Sequence, residues 1–488
     1  MKITVNINFT IIIVLLAALV LRLFNLGYDG LWHDELLTAV VTHPENSVID
    51  VVNILKGDVH PPLHPVLTNI FCTIFGHNDI TLRLINVLMG VWGVFAGYLL
   101  AKELFNKKVA LYALGLLVLN SFLIRYSQEA RSYAQLSVFA NYSFLYFVRL
   151  LKNDFERKNA IYYVLTTAAM LYTHYFALFV LASQFVAFFF FMDWKRFKQK
   201  LWYYIVTFAM PNILFLYWIQ FILKRADRPF QSWRDPATPG VILEYLEIFF
   251  NDKLLMFLSL LTLVISVLYL AARRVIKHKW FGKFDKDAVF GVSILMIWLL
   301  VYFFIPYLRS NFDTSMMVNR YFVPLVVPVV ILLAFYLQKI PGALVRNGVF
   351  ILICGYSIYV LFSNTNPYYA KTTMWRETVD HLYELDRNPY VWYMSRDRRY
   401  WNHYLRMKNI RRARTYRAPF EKLLSEDNYP DSYYVLVNLR APAPKYKDSI
   451  PALEGYKEVY SKDFFNNNKI ADSRLIKYER IEEVNDSL

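Results

Sequence analysis

The sequence predicts a mainly α fold: a polytopic bundle of about eleven transmembrane helices with a small C-terminal extramembrane α/β domain. Three observations carry this. Hydrophobic residues make up 57% of the 488 residues, and mean hydropathy is +0.29. Charged residues are only 19%, where soluble domains carry about 25%. The long apolar runs stop near residue 366, and residues 367–488 are polar, charged and rich in Pro, Asn and Asp. A disordered chain is excluded, because it would be poor in apolar residues.

A bilayer core about 30 Å thick needs roughly 20 apolar helical residues. Such runs lie near 8–26, 85–104, 108–126, 132–151, 159–176, 177–193, 201–222, 253–272, 288–308, 321–338 and 344–363. The first is read as a retained span, since Arg22 and aromatic residues come after it and no small-residue cleavage site does. The run 61–75 is shorter and contains Pro61, Pro62 and Pro65; it suits an interfacial helix or one tucked under the bundle. If it crosses the membrane instead, a span must be gained or lost elsewhere. The domains are then 1–366, in the membrane, and 367–488, outside it. In the second, Met374–Leu385 reads as an amphipathic helix. Tyr390–Met394 and Tyr433–Val437 read as short strands rich in β-branched and aromatic residues.

The net charge of +16 belongs with this reading. Clusters at Lys102, Lys107 and Lys108, at Arg149, Lys152, Arg157 and Lys158, and at Lys195, Arg196, Lys198 and Lys200 fall in connections that alternate in side. Lys277, Lys279, Lys283 and Lys286 keep the same alternation, then Lys339 and Arg346. Lys and Arg mark cytoplasmic loops, so the C-terminus and the loops 27–84, 125–131, 224–252 and 309–320 face outward. The basicity therefore implies membrane lipids as partners and no nucleic acid. Cys72 and Cys354, both in apolar runs, exclude a disulfide scaffold and a Cys-based zinc site.

The outward loops carry the polar chemistry. The first opens with Tyr28-Asp-Gly-Leu-Trp-His-Asp-Glu35, which sets Asp34 and Glu35 just past a span. A carboxylate near the hydrocarbon boundary is costly unless it faces a polar cavity. Either it is a general base for an acceptor hydroxyl, or it is a solvated acid or N-cap for Leu36–Val41. The loop ends with His60-Pro-Pro-Leu-His-Pro65. His60 is a donor to phosphate, a metal ligand, or an interfacial histidine. In Arg125-Tyr-Ser-Gln-Glu-Ala-Arg131, Arg131 offers a fork for phosphate oxygens, or Glu129 and Arg131 form a local ion pair worth little. Tyr126, His174 in Tyr172-Thr-His-Tyr-Phe176, and Tyr321 beside Arg320 join the cavity candidates. Arg320 completes a phosphate site or snorkels to headgroups. His33, Asp34, Glu35 and His60 are the residues that could hold a divalent metal; no other cofactor is indicated. No glycine-rich phosphate loop comes after a strand, so a nucleotide-sugar Rossmann site is not predicted.

In these residues the sequence resembles the polytopic glycosyltransferases of the GT-C fold that use lipid-phosphate-linked sugars. Its likeness is to the bacterial branch with aminoarabinose transferase, rhizobial lipopolysaccharide sugar transferases and protein O-mannosyltransferases. The carrying segments are Gly30-Leu-Trp-His-Asp-Glu35, His60-Pro-Pro-Leu63, Tyr126-Ser-Gln-Glu-Ala-Arg-Ser-Tyr133, Tyr172-Thr-His-Tyr-Phe176 and Arg320-Tyr321. The likeness spans about residues 8–340 and implies an integral protein of a bacterial cytoplasmic membrane with an outward-facing site. It implies a polyprenyl-phosphate sugar donor and a lipid, glycan or protein acceptor. Asp34 matches the family's catalytic base, Glu35 its partner, and Glu129 the second-loop acid. Where aminoarabinose transferase has a Lys for the lipid phosphate this sequence has His60, so Arg131 and Arg320 are further candidates for that role. A transporter or lipid-sugar flippase is the alternative. It would place ionisable groups near mid-bilayer in broken helices, whereas these acids gather at span ends.

Finally, nine Lys or Arg and one acid, Asp397, lie between Arg396 and Arg417. They form either a solvated face or a surface for anionic headgroups or a polyanionic acceptor.

Overall fold

The computed structural model describes residues 9–58, 60–153, 155–226, 238–276, 285–312, 315–363, 367–369, 371–394, 398–416, 430–440 and 454–481. Arg396, Asp397, Arg417, Lys277, Lys279 and Lys283 lie outside them, as does part of the loop 224–252. The chain forms two compact units. The first comprises residues up to Phe24, Asn46–Phe71 and Arg83–Tyr368; the second comprises Asn25–Glu45, Cys72–Leu82 and the tail from Tyr369.

In the first unit all eleven apolar runs lie on helices, but they are not eleven equal spans. Among the described residues six helices are long and apolar enough to cross a membrane: Asp79–Leu104, Leu201–Lys224, Lys253–Ala272, Lys286–Phe312, Asn319–Lys339 and Ala343–Phe362. A seventh arises if Lys107–Val118 and Ser121–Ser127, bent by 61°, count as one span. The bend has a local cause: Asn120 leaves the helix and caps the next one, accepting from Leu123 N at 2.9 Å. Phe9–Leu23 and Ala177–Phe191 have 15 residues each and Leu63–Phe75 has 13. At 1.5 Å per residue these reach only about 20–23 Å. Gly76, at φ +88°, ends Leu63–Phe75 in the left-handed conformation that glycine adopts without strain.

The helix Tyr133–Lys152 is almost wholly enclosed although it carries Gln135, Ser137, Asn141 and Ser143. Polar groups enclosed in this way are costly unless they find partners within the bundle. Ser143 shares a 2.8 Å hydrogen bond with Thr167, and Gln184, which donates to Ser143, accepts from Tyr163. Close approach does the rest at Gly90. A Cβ there would sit 2.1 Å from Ser127 Oγ and 2.9 Å from Arg22 Nε, the buried guanidinium that donates to Ser127.

The second unit is built on a five-stranded mixed sheet. Its strands are β1 (Val391–Met394), β2 (Ala413–Tyr416), β3 (Ser432–Asn438), β4 (Tyr456–Phe465) and β5 (Ala471–Arg480), in the order β2-β1-β3-β5-β4. β2, β1 and β3 run parallel, and the helix Arg398–Met407 makes the β1-to-β2 crossover that parallel neighbours require. β5 pairs antiparallel with both β3 and β4. One face is a cluster of Trp392, Tyr433, Val435, Val437, Ile476 and Tyr478. Against the other lies Trp375–Leu385, whose Thr378 hydroxyl meets Ser473 Oγ at 2.6 Å. The helix starts where Met374 N donates to Asp472, a fully buried carboxylate also held by Arg440. The helix at 374–385 and the strands at 390–394 and 433–437 match the sequence reading, whereas β2, β4, β5 and the helix Arg398–Met407 emerge only in the structure.

Candidate functional site

Asp34 and Glu35 belong to the second unit, in the first turn of the helix His33–Val41. Two acids there are favoured, because the first turn exposes N–H groups and the positive end of the helix dipole. Their environments differ. Glu35 is fully buried and its Oε2 accepts from Trp32 N at 3.3 Å, closing the helix start. Asp34 is half-buried, and its backbone oxygen accepts from the Thr38 hydroxyl at 3.2 Å. His33 is exposed, and its Nδ1 shares a 2.8 Å hydrogen bond with Tyr400 of the tail.

The tail holds this loop through a buried carboxylate that no sequence motif marks. Asp79 accepts from His403 Nε2 at 2.9 Å and from Arg376 Nη1 at 3.2 Å. Arg376 also donates to the carbonyls of Gly27 and Tyr28, at 2.8 and 2.7 Å. Tyr404 accepts from Leu31 N at 2.6 Å and lies 3.5 Å from Asp79. Thr372 caps the set by donating to Asp29. The backbone from Gly27 to Leu31, just ahead of Asp34, is therefore fixed by side chains from the end of the chain.

His77 packs beside this hub and donates from Nε2 to Ala39 O at 2.9 Å. Burial lowers its pKa to about 4, helped by His403 and His43 and opposed by the Ala39 bond and Asp79. A folded-state pKa below the unfolded value means that only the unfolded chain takes up the proton between those two values. The contribution is full above pH about 6.5 and is lost as pH falls toward 4. It amounts to about 2–3 kcal/mol. His77→Gln should thus melt with a smaller difference between pH 7 and pH 4.5 than the wild type does, by about that amount. An unchanged pH slope would assign the acid sensitivity to other groups.

The remaining candidates meet in the first unit. The prolines after His60 stop a helix from starting earlier, and Leu63 N donates to Tyr172 O at 3.0 Å. That joins the His60 segment to the His174 turn. His60 accepts from Arg131 Nη2 at 2.8 Å through Nε2, so Nδ1 carries the proton it gives to Asp58 Oδ1, also at 2.8 Å. Both ring nitrogens are thereby engaged, and His60 orients Arg131. The Asn86 amide donates to the carbonyls of Glu129 and Arg131 at 2.5 and 2.7 Å, holding that turn. The Glu129 carboxylate lies 3.6 Å from Arg125.

An aromatic wall completes the cluster. Arg320 stands 5.9 Å from the Tyr133 ring and 5.6 Å from Tyr321. Tyr321 lies 5.0 Å from His174, whose ring is 6.3 Å from His60. Tyr126 packs on Tyr133 at 5.4 Å and donates to Asn319 at 3.3 Å. The structure thus brings together His60, Tyr126, Glu129, Arg131, His174, Arg320 and Tyr321 from segments far apart in sequence. Two guanidinium groups beside tyrosines and a histidine suit an anionic oxygen cluster such as phosphate. Among the described residues, no three His, Cys, Asp or Glu side chains gather as a metal site.

Asp58, Asn86, Tyr133 and Asp79 are residues whose roles sequence reasoning misses. Asp79 bears a usable signal, since it begins a long apolar helix just as Asp34 comes after one. Asn86 sits inside a run that stands out only for its apolar content.

A sequence model of the dolichyl-phosphate-mannose-protein mannosyltransferase family matches residues 59–218, the stretch that contains His60, Tyr126, Glu129, Arg131 and His174. No curated protein matches the chain in sequence. Among solved structures, ArnT from Cupriavidus metallidurans in the apo state has a TM-score of 0.61 at 11% identity, over 96% of this chain and 97% of that one. The same protein bound to undecaprenyl phosphate has 0.59 at 12%, over 96% and 98%. The archaeal oligosaccharyltransferase AglB from Archaeoglobus fulgidus, with an inhibitory peptide and a dolichol-phosphate, has 0.52 at 13%, over 82% and 63%. At such identities the likeness is one of fold, and with ArnT it covers nearly the whole of both chains.

Proposed function

We propose that this chain, a polytopic membrane glycosyltransferase of the GT-C fold, moves a sugar from a polyprenyl-phosphate donor to an acceptor hydroxyl. The reaction takes place on the outer face of a bacterial cytoplasmic membrane. The observation that carries the reading is the cluster of Arg131, held by His60 and Asp58, with Arg320 against Tyr133 and Tyr321. His60, Arg131 and Tyr133 of this cluster lie within the stretch matched by a family whose named donor is a lipid phosphate-linked sugar, and a protein of the same fold binds undecaprenyl phosphate. The outward orientation rests on the Lys and Arg alternation of the loops.

Asp34 takes the proton of the acceptor hydroxyl as its oxygen attacks the anomeric carbon. The bond from that carbon to the phosphate oxygen breaks, the configuration inverts, and polyprenyl phosphate leaves with the electron pair. Arg131 and Arg320 stabilise the charge that develops on it. Glu35 and His60 act as positioning residues, the first on the helix that carries Asp34, the second on the Arg131 guanidinium. Glu129 shapes the turn between Tyr126 and Arg131.

The decisive experiment is mass spectrometry of envelope lipids and glycans from a strain lacking this gene. One sugar should be missing, restored by the wild type and not by Asp34→Asn; an unchanged glycan profile sinks the reading. A narrower test addresses the donor site. Arg131→Ala should raise the apparent KM for the lipid donor about 10- to 100-fold, the value of a lost charged hydrogen bond. A transfer assay that varies the two substrates separately reads this. A rise confined to the acceptor would move Arg131 out of the donor site.

A further inference from the structure

We infer that the second unit holds an anion-binding subsite, between the helix His33–Val41 and the helix Arg398–Met407, that anchors a phosphate-bearing group of the acceptor. A cavity of about 490 Å³ opens there, lined by Ala39, His43, His77, Arg398, Arg399 and Arg406. A neighbouring cavity of about 830 Å³ shares His43, Arg398 and Arg406 and adds Arg411 and the single acid Glu45. Glu45 is engaged with His43 at 3.4 Å.

The arginines are not needed by the fold. The helix Arg398–Met407 packs through Trp401, His403, Tyr404 and Leu405, all buried, while Arg398, Arg399 and Arg406 are exposed on the other side. Any polar residue would serve on that side, and a mixture of signs is the usual choice. Here the helix carries three guanidinium groups and no acid. Among the described residues none of the three has a carboxylate partner, although nearby Lys408 does, in Asp380 at 2.7 Å. A guanidinium fork matches phosphate oxygens in pairs, and three of them around one concavity concentrate positive potential. His43 and His77 line the same wall, and burial lowers the pKa of each.

The position argues for the acceptor rather than the donor. Ala39 lies five residues beyond Asp34 on one helix, or about 7–8 Å along its axis. Ala39 also lies about 140° around that helix from Asp34, so an acceptor held by its anion in the cavity has to pass round the N-terminal end of the helix to bring a hydroxyl to Asp34. This step rests on Asp34 being the base.

The test uses the full chain in phosphatidylcholine nanodiscs, saturated with undecaprenyl phosphate so that Arg131 and Arg320 are occupied. Calorimetry with inorganic pyrophosphate should then show one further site. It should be at least about tenfold weaker in Arg398→Gln/Arg399→Gln/Arg406→Gln, with undecaprenyl phosphate binding unchanged. Equal pyrophosphate binding by that variant, or none by the wild type, overturns the subsite. If nanodiscs with phosphatidylglycerol abolish the pyrophosphate signal, bulk lipid headgroups fill the cavity and the acceptor assignment falls. Asp34→Asn should bind pyrophosphate as the wild type does. Retained transfer by Asp34→Asn would therefore sink the catalytic reading and leave the anion site standing.

Discussion

Asp34→Asn is expected to lower sugar transfer by about two to four orders of magnitude, the usual contribution of a general base. The chain should remain folded and inserted. The change is nearly isosteric, and the charge it removes from the first helical turn is worth only about 0.3–1 kcal/mol to the fold. The helix start is secured independently by the Glu35 carboxylate on Trp32 N. Glu35→Gln keeps an acceptor oxygen for that bond and should lose far less activity. The contrast between the two variants separates chemistry from helix capping. Purified Asp34→Asn with more than about a tenth of wild-type turnover would mean that another group takes the proton.

Asp79→Ala is expected to destabilise the second unit by about 3–5 kcal/mol, the cost of leaving buried charged partners unmatched. The carboxylate is 7% exposed and receives both His403 and Arg376. Asp79→Asn keeps an oxygen for His403 and loses the charge opposite Arg376, so it should fall between alanine and the wild type. Thermal melting in detergent, then limited proteolysis of the tail, reads this order. A melting temperature within about 1 °C of the wild type for the alanine variant would show that the hub is dispensable. Activity should fall along with stability, because Arg376 and Tyr404 fix the backbone that leads into Asp34.

The membrane helices are legible in the sequence because apolar length is a one-dimensional property. Each predicted run falls on a helix. Span number is less legible. A hydropathy window does not register the break at Asn120, and it cannot tell a 15-residue helix from a complete crossing. In the tail, β4 and β5 are hidden because their charged residues, among them Lys457, Glu458, Lys462, Asp463 and Arg474, mask the apolar alternation. At the site, residue types are legible and partners are not. Arg131 and His60 both suit phosphate by type, yet only their 2.8 Å contact shows that one orients the other. The Asp79 hub pairs residues 297 and 324 positions apart, a relation that no local pattern encodes.

That separation sets a clock on biosynthesis. A ribosome adding about 5–20 residues per second delivers Arg376 and His403 some 15–60 s after Asp79. Through that interval the segment carrying Asp34 must wait beyond the first span without its clamp, while the later helices are still entering the bilayer. The first loop to be made is therefore the last to be completed, so a polypeptide that ends before Arg376 lacks the clamp on that loop. On the proposed reading, competence for transfer becomes a property of the finished chain.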